Sequence, residues 1–163
     1  MVKSGVKGAK VGILGKPYFR GQSINRLDSK GRLRIPVKFR DVLQNHYTDG
    51  LIITVMEKCL VAYPPEIWDK IENKVLDFSQ VQPEQRAFMR FFISSAVECE
   101  FDKQGRILIP PVLREKANLD QEVLIAGMLT SFEIWNKETW DQQMEWSTEQ
   151  YQQIATHIAD IGL

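Results

Sequence analysis

The sequence predicts an α+β fold in which short antiparallel strands are combined with helices. Two observations favour this class. A thirteen-residue motif occurs twice, and each copy contains an apolar/polar alternating segment followed by a proline and an apolar helical pattern. A third observation argues against a βαβ nucleotide-binding fold, because the glycines have neither Walker nor dinucleotide spacing.

The composition is that of an ordinary globular protein. The 163 residues are 44% hydrophobic and 26% charged, and apolar runs such as Leu51–Met56 are far too short to cross a bilayer. Residues 11–14 are too short a hydrophobic stretch for a signal peptide. Cys59 and Cys99 are too few for a disulfide framework or a cysteine zinc site. We therefore expect a cytosolic protein rather than a membrane, collagen-like, disulfide-rich or disordered one.

Charge is unevenly distributed along a chain whose 21 basic and 21 acidic residues cancel. Residues 1–20 carry five basic side chains and no acidic one, together with several glycines. This pattern predicts a flexible basic arm over residues 1–18 that contacts phosphate without sequence preference. A disordered leader without a binding role is the alternative interpretation.

The repeat is the strongest organisational feature. Residues 28–40 and 102–114 are identical at six of thirteen positions, where random composition would give about one. Two copies of this kind usually pack around a pseudo-twofold axis, as a homodimer would. The predicted organisation is an arm over residues 1–18, a first repeat over 19–76, a connecting segment and helix over 77–93, a second repeat over 94–150, and a C-terminal helix end and tail over 151–163.

The first repeat reads as a series of short elements. Asp28 and Gly31 supply the chemistry of a tight hairpin turn, since Asp caps backbone donors and Gly tolerates positive φ. Pro36 ends a strand and favours a following helix. The predicted elements are strands over 22–27 and 32–35, a helix over 37–44, strands over Leu51–Met56 and Cys59–Tyr63, and a helix from Pro65 with Ile67, Trp68, Ile71 and Val75 on one side.

The second repeat predicts the same order of elements, with a strand near 97–101, a turn at Gly105, a strand over 106–109, a helix from Pro110, strands over 122–127 and 131–135, and a helix from Lys137. An amphipathic helix over residues 83–95 connects the repeats, and its Phe88, Phe91 and Phe92 favour core or oligomer contacts over a ligand site. The C-terminal helix has an apolar set that we expect to cap the core, with a subunit interface as the alternative: Trp140, Met144, Trp146, Tyr151, Ile154 and Ile158.

The Asp-x-x-Gly-Arg turn occurs in both repeats, as Asp28, Gly31 and Arg32 and as Asp102, Gly105 and Arg106. One interpretation is structural, because a carboxylate four residues before a guanidinium can brace a tight turn. The other is a basic hairpin that contacts phosphates and base edges in the DNA major groove. The two interpretations are compatible, since the aspartates can brace loops that present basic side chains.

Charge separates the two copies. Residues 26–40 have a net charge of plus five, whereas residues 100–114 have a net charge of plus one. Leu108 also replaces Arg34 at the equivalent position. If nucleic acid binds, we expect the first copy to dominate, although a basic run can also be an ordinary solvated face. The candidate DNA-binding residues are Arg26, Lys30, Arg32, Arg34, Lys103 and Arg106.

The sequence gives little support for an enzyme, a metal site or a cofactor. His46 and His157 are the only histidines and do not form a metal-spaced pair. The cysteines lie in apolar strand patterns typical of core packing. Glu98, Glu100 and Asp102 share a strand face and could form an acid pair or a hard-metal site, although a solvated face is the interpretation we favour.

Two stretches resemble the bacterial MraZ family. The first contains Phe19-Arg20-Gly21 and then Asn25 through Arg32 and Pro36; the second runs from Arg90 through Ala96 into Glu98–Asp102 and Gly105–Pro110. The resemblance covers about residues 19–150. It implies a duplicated SpoVT-AbrB swapped-hairpin β-barrel with pseudo-twofold repeats and flanking helices.

The resemblance also implies a function. Members of the family are sequence-specific transcriptional regulators of the division and cell-wall gene cluster, and they form rings that present many hairpins to short direct repeats in promoter DNA. We therefore expect double-stranded DNA as the partner, a homo-oligomer, and a cytoplasmic, nucleoid-associated protein without a small-molecule substrate. The alternative is an antitoxin-like or scaffold protein that binds a protein partner, which rests on fold analogy alone.

Overall fold

The computed structural model describes residues 15–163, in which eight strands and six α-helices are arranged as two similar series. The first series consists of β1 (Gln22–Arg26), β2 (Arg32–Arg34), α1 (Val37–His46), β3 (Leu51–Met56), β4 (Cys59–Tyr63) and α2 (Pro65–Val75). The segment between the series contains α3 (Pro83–Phe88) and a π-helical turn (Met89–Ile93). The second series consists of β5 (Val97–Cys99), β6 (Arg106–Leu108), α4 (Pro111–Lys116), β7 (Glu122–Gly127), β8 (Phe132–Asn136) and α5 (Lys137–Glu149), followed by α6 (Tyr151–Asp160).

The strands of the two series are interleaved. Among the described residues, six strands form an antiparallel sheet in the order β1-β7-β8-β4-β3-β5, and β2 pairs with β6 in a separate two-stranded sheet. In the two series, β1, β3 and β4 correspond to β5, β7 and β8. If each strand in the order is replaced by its counterpart, the result is the same order in reverse. The predicted α+β class and the duplication are therefore confirmed, and the strand order has the pseudo-twofold relation that the repeat indicated.

The hairpin predicted around each basic turn differs from what the structure shows. Beyond a single bridge between Leu27 and Leu33, β1 pairs with β7, while β2 pairs with β6. The turn thus reverses the chain without joining two paired strands. β1 and β2 instead pair with strands of the second series, and β5 and β6 with strands of the first. This pairing satisfies backbone donors and acceptors that these short strands would otherwise leave open.

The main core is shared by both series. It contains side chains from the two-stranded sheet, the six-stranded sheet and the first turns of α1 and α4, and Leu33, Phe39, Ile107, Leu113 and Phe132 are among those that are almost fully buried. Fully burying an aliphatic or aromatic side chain of this kind contributes about 1.5–3 kcal/mol. Because the two series supply one core, we expect neither to fold stably by itself.

Prolines mark the starts of the helices, as the sequence predicts. Pro36 and Pro110 precede α1 and α4 with extended backbone, so these helices begin one residue later than the proline. Pro65 and Pro83 lie within the first turns of α2 and α3. The fixed φ of proline suits these positions, where no intrahelical N–H bond is needed.

The connecting helix is not a regular helix throughout residues 83–95. It is α-helical only to Phe88 and then forms the π-helical turn. The buried Thr54 hydroxyl donates a 2.5 Å hydrogen bond to the Phe92 carbonyl within this turn. Phe92 packs in the core as expected, whereas Phe88 and Phe91 are 37% and 48% exposed. An additional residue in one helical turn therefore changes which aromatic side chains face the sheet.

The expectation that the C-terminal apolar set caps the core is wrong for three of its six members, Met144, Trp146 and Tyr151, which are exposed. Trp140 packs against the buried Trp135, but Trp146 and Tyr151 are 53% and 64% exposed. The reason is positional, because Trp140 lies in the first turn of α5, which contacts β7 and β8, whereas Met144 and Trp146 come later in the helix and are exposed. The amphipathic pattern indicates an apolar stripe but does not specify what covers it.

The basic arm predicted over residues 1–18 lies largely outside the described residues, which begin at residue 15. The adjoining segment packs on the fold. The Tyr47 hydroxyl donates to the Pro17 carbonyl at 3.1 Å, and Phe19 is completely buried in contact with Phe39 and Phe132. The segment that precedes β1 is thus anchored to the core.

Candidate nucleic-acid interface

The first basic turn, residues 28–31, is closed by the Asp28 side chain. Its Oδ1 accepts hydrogen bonds from the backbone N–H groups of Lys30 and Arg32, each at 2.9 Å. Its Oδ2 accepts from Arg32 Nε at 2.7 Å. Gly31 has a φ of 85°, which only glycine adopts without strain. The hydrogen bond from Nε to Asp28 therefore fixes the orientation of the Arg32 guanidinium.

The second basic turn, residues 102–105, has the same hydrogen bonds. Asp102 Oδ1 accepts from the backbone N–H groups of Gln104 and Arg106, each at 2.9 Å, and its Oδ2 accepts from Arg106 Nε at 2.8 Å. Gly105 has a φ of 75°. The two copies of the motif thus have the same local structure, down to the individual donor and acceptor atoms.

Both aspartates remain charged at neutral pH and below. The hydrogen bond from the backbone N–H of Arg32 is the main factor that lowers the pKa of Asp28, and the Arg32 side chain and the Lys30 N–H act in the same direction. The pKa of Asp102 is lowered in the same way, chiefly by the backbone N–H of Arg106. The negative charge that orients each arginine is therefore permanent under physiological conditions.

The two-stranded sheet formed by β2 and β6 places three arginines on one surface. Leu33 and Ile107 oppose each other and are buried, so their neighbours point away from the core. Arg32 lies opposite Leu108, and Arg34 lies opposite Arg106. We call this outward surface, consisting of Arg32, Arg34, Arg106 and Leu108, the ribbon face. An antiparallel two-stranded ribbon has dimensions that fit a DNA major groove.

The predicted basic side chains differ in what they contact. Arg34 Nη1 donates to the Gln104 carbonyl at 2.6 Å, so it contacts the second turn. Arg26 Nη2 donates to Gln121 Oε1 at 3.1 Å, on the opposite repeat. Lys30 and Lys103 are exposed within their turns. The structure therefore brings the predicted set onto the two turns, their ribbon and the adjoining end of β1.

Sequence reasoning missed two further arginines at this site, Arg40 and Arg114. Each lies in the first helical turn after its ribbon strand, and each has its guanidinium against a turn glycine of the other repeat. The sequence does contain a signal for them, because Arg40 and Arg114 form one of the six identical pairs of the thirteen-residue motif.

The residues considered for catalysis or metal binding are dispersed. Glu98 and Glu100 are exposed, and the Asp102 carboxylate is occupied by the second turn. Between residues 15 and 163, no three His, Cys, Asp or Glu side chains are grouped as a metal site. Cys59 and Cys99 are free and buried in the core, as predicted, and burial raises the pKa of the Cys99 thiol to about 11.

Of the helices within residues 15–163, none has both the length and the apolar character required to span a bilayer.

Comparison with known proteins identifies relatives along almost the whole chain. Residues 18–91 and residues 92–161 each match the family described as "MraZ protein, putative antitoxin-like". A protein named Transcriptional regulator MraZ from Syntrophobacter fumaroxidans is 71% identical over 150 residues, which span 92% of this chain and 100% of that protein.

More distant relatives carry the same name. Those from Shewanella denitrificans and Desulforamulus reducens are 43% and 41% identical, covering 78% and 88% of this chain and 85% and 99% of their own lengths. The two matched segments agree with the duplication seen in the sequence and in the strand pairing. The chain therefore belongs to the MraZ family, which is a family of transcriptional regulators and not of enzymes.

Proposed function

We propose that this protein binds double-stranded promoter DNA sequence-specifically and regulates the division and cell-wall gene cluster that includes its own gene. The observation that carries the proposal is the pair of equivalent basic turns joined by one arginine-rich ribbon. We further propose that the fold is a duplicated SpoVT-AbrB swapped-hairpin barrel. The exchange of β2 and β6 between the repeats supports this assignment.

Arg32 is the proposed base-reading residue. Its Nε donates to Asp28, so the edge of the guanidinium formed by the two Nη groups is the one that can donate to a base. Such an edge matches the O6 and N7 acceptors of guanine in the major groove. The Arg32 side chain is 36% exposed. A preoriented guanidinium loses less conformational freedom on binding than a free one.

Lys30, Arg34 and Arg26 are the proposed phosphate contacts of the first turn, with Arg106 and Lys103 in the corresponding role on the second. Phosphate contacts position the protein, whereas base contacts give specificity. The first repeat carries a net charge of plus five around its turn and the second only plus one. We therefore propose that the first turn contributes most of the affinity.

The proposed assembly is a ring of several subunits in the cytoplasm, associated with the nucleoid. Each turn pair would bind weakly, and several pairs engaging successive promoter repeats would gain affinity through effective concentration. Large exposed apolar side chains support self-association, among them Phe91, Trp146 and Tyr151.

The test is binding to a labelled fragment from upstream of the protein's own gene, compared with a scrambled fragment of equal composition across a salt series. We expect a preference for the promoter and affinity that falls as salt rises. Arg32→Ala should weaken promoter binding by about fivefold to 150-fold, the equivalent of one lost bidentate base contact. Lys70→Ala, which removes an exposed charge on α2, is the matched control and should change little.

Equal affinity for promoter and scrambled DNA at every salt concentration would overturn the proposal. Capture of a protein partner without any DNA preference would favour the antitoxin-like or scaffold alternative. Size-exclusion chromatography with light scattering verifies that each variant assembles like the wild type, so that altered binding is not a consequence of altered assembly.

A further inference from the structure

Arg40 and Arg114 are each anchored to their own repeat by one hydrogen bond. Arg40 Nε donates to the Ile35 carbonyl at 3.1 Å, and Arg114 Nε donates to the Ile109 carbonyl at 3.0 Å. Ile35 and Ile109 directly follow the ribbon strands. The bond therefore sets each guanidinium at the end of the ribbon, close to the turn of the opposite repeat.

Both guanidinium groups lie against the turn glycine of the other repeat. A Cβ atom placed on Gly31 would lie 2.7 Å from Arg114 Cζ and 2.8 Å from its Nε. A Cβ atom on Gly105 would lie 2.7 Å from Arg40 Nε. A side chain at either position would require the guanidinium to move, so each glycine provides room for the approach of an arginine as well as the positive φ of the turn.

Backbone hydrogen bonds cross between the repeats at the same places. The Ile109 N–H donates to the Gly31 carbonyl at 2.9 Å, and the Ile35 N–H donates to the Gly105 carbonyl at 3.1 Å. Ile109 thus bonds the first turn through its N–H and holds Arg114 through its carbonyl. The same arrangement, with the repeats exchanged, joins Ile35, Arg40 and the second turn.

We propose that Arg114 is a positioning residue for the first basic turn and Arg40 for the second, so that each DNA-binding turn is held by an arginine of the other repeat. This inference rests on the proposed DNA-binding function. It adds that Arg32 is presented correctly only when Arg114, far away in sequence, covers Gly31. Arginine suits this role because its guanidinium is planar and its Nε donates in the plane, whereas lysine keeps the charge but has neither property.

The first test measures amide hydrogen exchange in the protein without DNA, comparing peptides that contain either turn. Arg114→Lys should accelerate exchange in the first turn by about threefold or more and leave the second turn unchanged; Arg40→Lys should show the reverse. Lys116→Arg, an exchange of cations at an exposed site on α4, is the control and should alter neither turn. A merely structural role would accelerate both turns together, and that result would overturn the inference.

The second test is a double-mutant cycle on promoter binding. Arg114→Lys should weaken binding by about three- to tenfold in the wild-type background and have little effect when Arg32 is already alanine. Equal effects in both backgrounds would mean that Arg114 contacts phosphate by itself, which would overturn the positioning role. Should Arg114→Lys assemble poorly, Arg114→Met preserves the aliphatic stem and allows the same comparison.

Failure of this inference is distinguishable from failure of the proposed function. If Arg32→Ala weakens promoter binding but Arg114→Lys changes neither exchange nor affinity, the positioning role is wrong and the DNA-binding function stands. If Arg32→Ala leaves binding unchanged, the proposed function fails at the first turn. The exchange measurement then still decides whether Arg114 holds that turn.

Discussion

Leu33 and Ile107 lie directly opposite each other at the centre of the ribbon, one from each repeat, and both are almost completely buried. Their contact with the core fixes the ribbon to the body of the protein. Because side chains alternate along a strand, burying these two residues forces the flanking arginines outward. The core thus determines where the basic side chains point.

Truncation of this central pair should destabilise the protein. Ile107→Ala should lower the free energy of unfolding by about 2–5 kcal/mol, and Ile107→Val by about 0.5–1.5 kcal/mol, because a cavity remains in the shared core. Urea unfolding monitored by circular dichroism measures both. Leu108→Ala, at the neighbouring exposed position, is the control and should change the value by no more than about 0.5 kcal/mol. A similar cost at positions 107 and 108 would contradict the burial pattern.

Replacing Asp28 by Asn should impair DNA binding without unfolding the protein. The amide oxygen can still accept the backbone N–H groups of Lys30 and Arg32, but the charged bond to Arg32 Nε is lost. We expect weaker promoter binding with unchanged assembly and a smaller effect for Asp102→Asn. Fluorescence anisotropy on both variants tests this, and a larger loss for Asp102→Asn would reverse the proposed order of the two turns.

The depressed pKa values of Asp28 and Asp102 predict a pH dependence of stability. A carboxyl group whose pKa is lower in the folded than in the unfolded state stabilises the fold at pH values above its ordinary pKa, here 3.8. That contribution is lost as the pH falls through the folded-state pKa. Wild type should therefore lose stability as the pH falls below about 4. A protein with both residues changed to Asn should show a shallower decline in urea unfolding over that range. Parallel curves for the two proteins would contradict the assignment.

Thr54 should be required for the π-helical turn. Its buried hydroxyl donates to the Phe92 carbonyl, so Thr54→Val keeps the shape but leaves that carbonyl without its donor. The expected loss of stability is about 1–3 kcal/mol. Thr54→Ser retains the hydroxyl and should preserve the hydrogen bond while removing one methyl group. If the valine variant is as stable as wild type in urea unfolding, this hydrogen bond does not stabilise the turn.

Both cysteines should resist alkylation in the folded protein. Cys59 and Cys99 are buried, and burial raises the pKa of each thiol, to about 11 for Cys99. Since the thiolate is the reactive form, iodoacetamide at neutral pH should label neither residue appreciably in native protein and both in urea. Mass spectrometry gives the extent of labelling. Rapid native labelling would show that the strands carrying them open readily.

The turns could be predicted from sequence because their hydrogen bonds are local. Asp28 contacts backbone groups only two and four residues away, so the residue types and their spacing contain the required information. The pairing of β2 with β6 could not be predicted in the same way. Alternation in Arg32–Arg34 shows which side is buried but does not identify the neighbouring strand.

Long-range contacts explain the remaining differences. Arg114 and Gly31 are separated by more than eighty residues, and their proximity follows only from the exchange of strands between the repeats. Trp146 in α5 and Tyr151 in α6 belong to an apolar stripe that resembles a core-facing pattern, yet nothing in their spacing reveals that both side chains are exposed. Side-chain pattern determines amphipathicity, whereas tertiary packing determines which apolar faces are covered.

The most direct test of the central claim is promoter affinity for assembled Arg32→Ala and Arg106→Ala proteins, measured side by side with wild type at one physiological salt concentration. The account predicts that both variants bind more weakly and that Arg32→Ala loses more, because the first turn carries the greater basic charge and presents the proposed guanine-reading guanidinium. Wild-type affinity in an Arg32→Ala protein that assembles normally would contradict the account, since the braced arginine of the first turn would then have no part in DNA recognition.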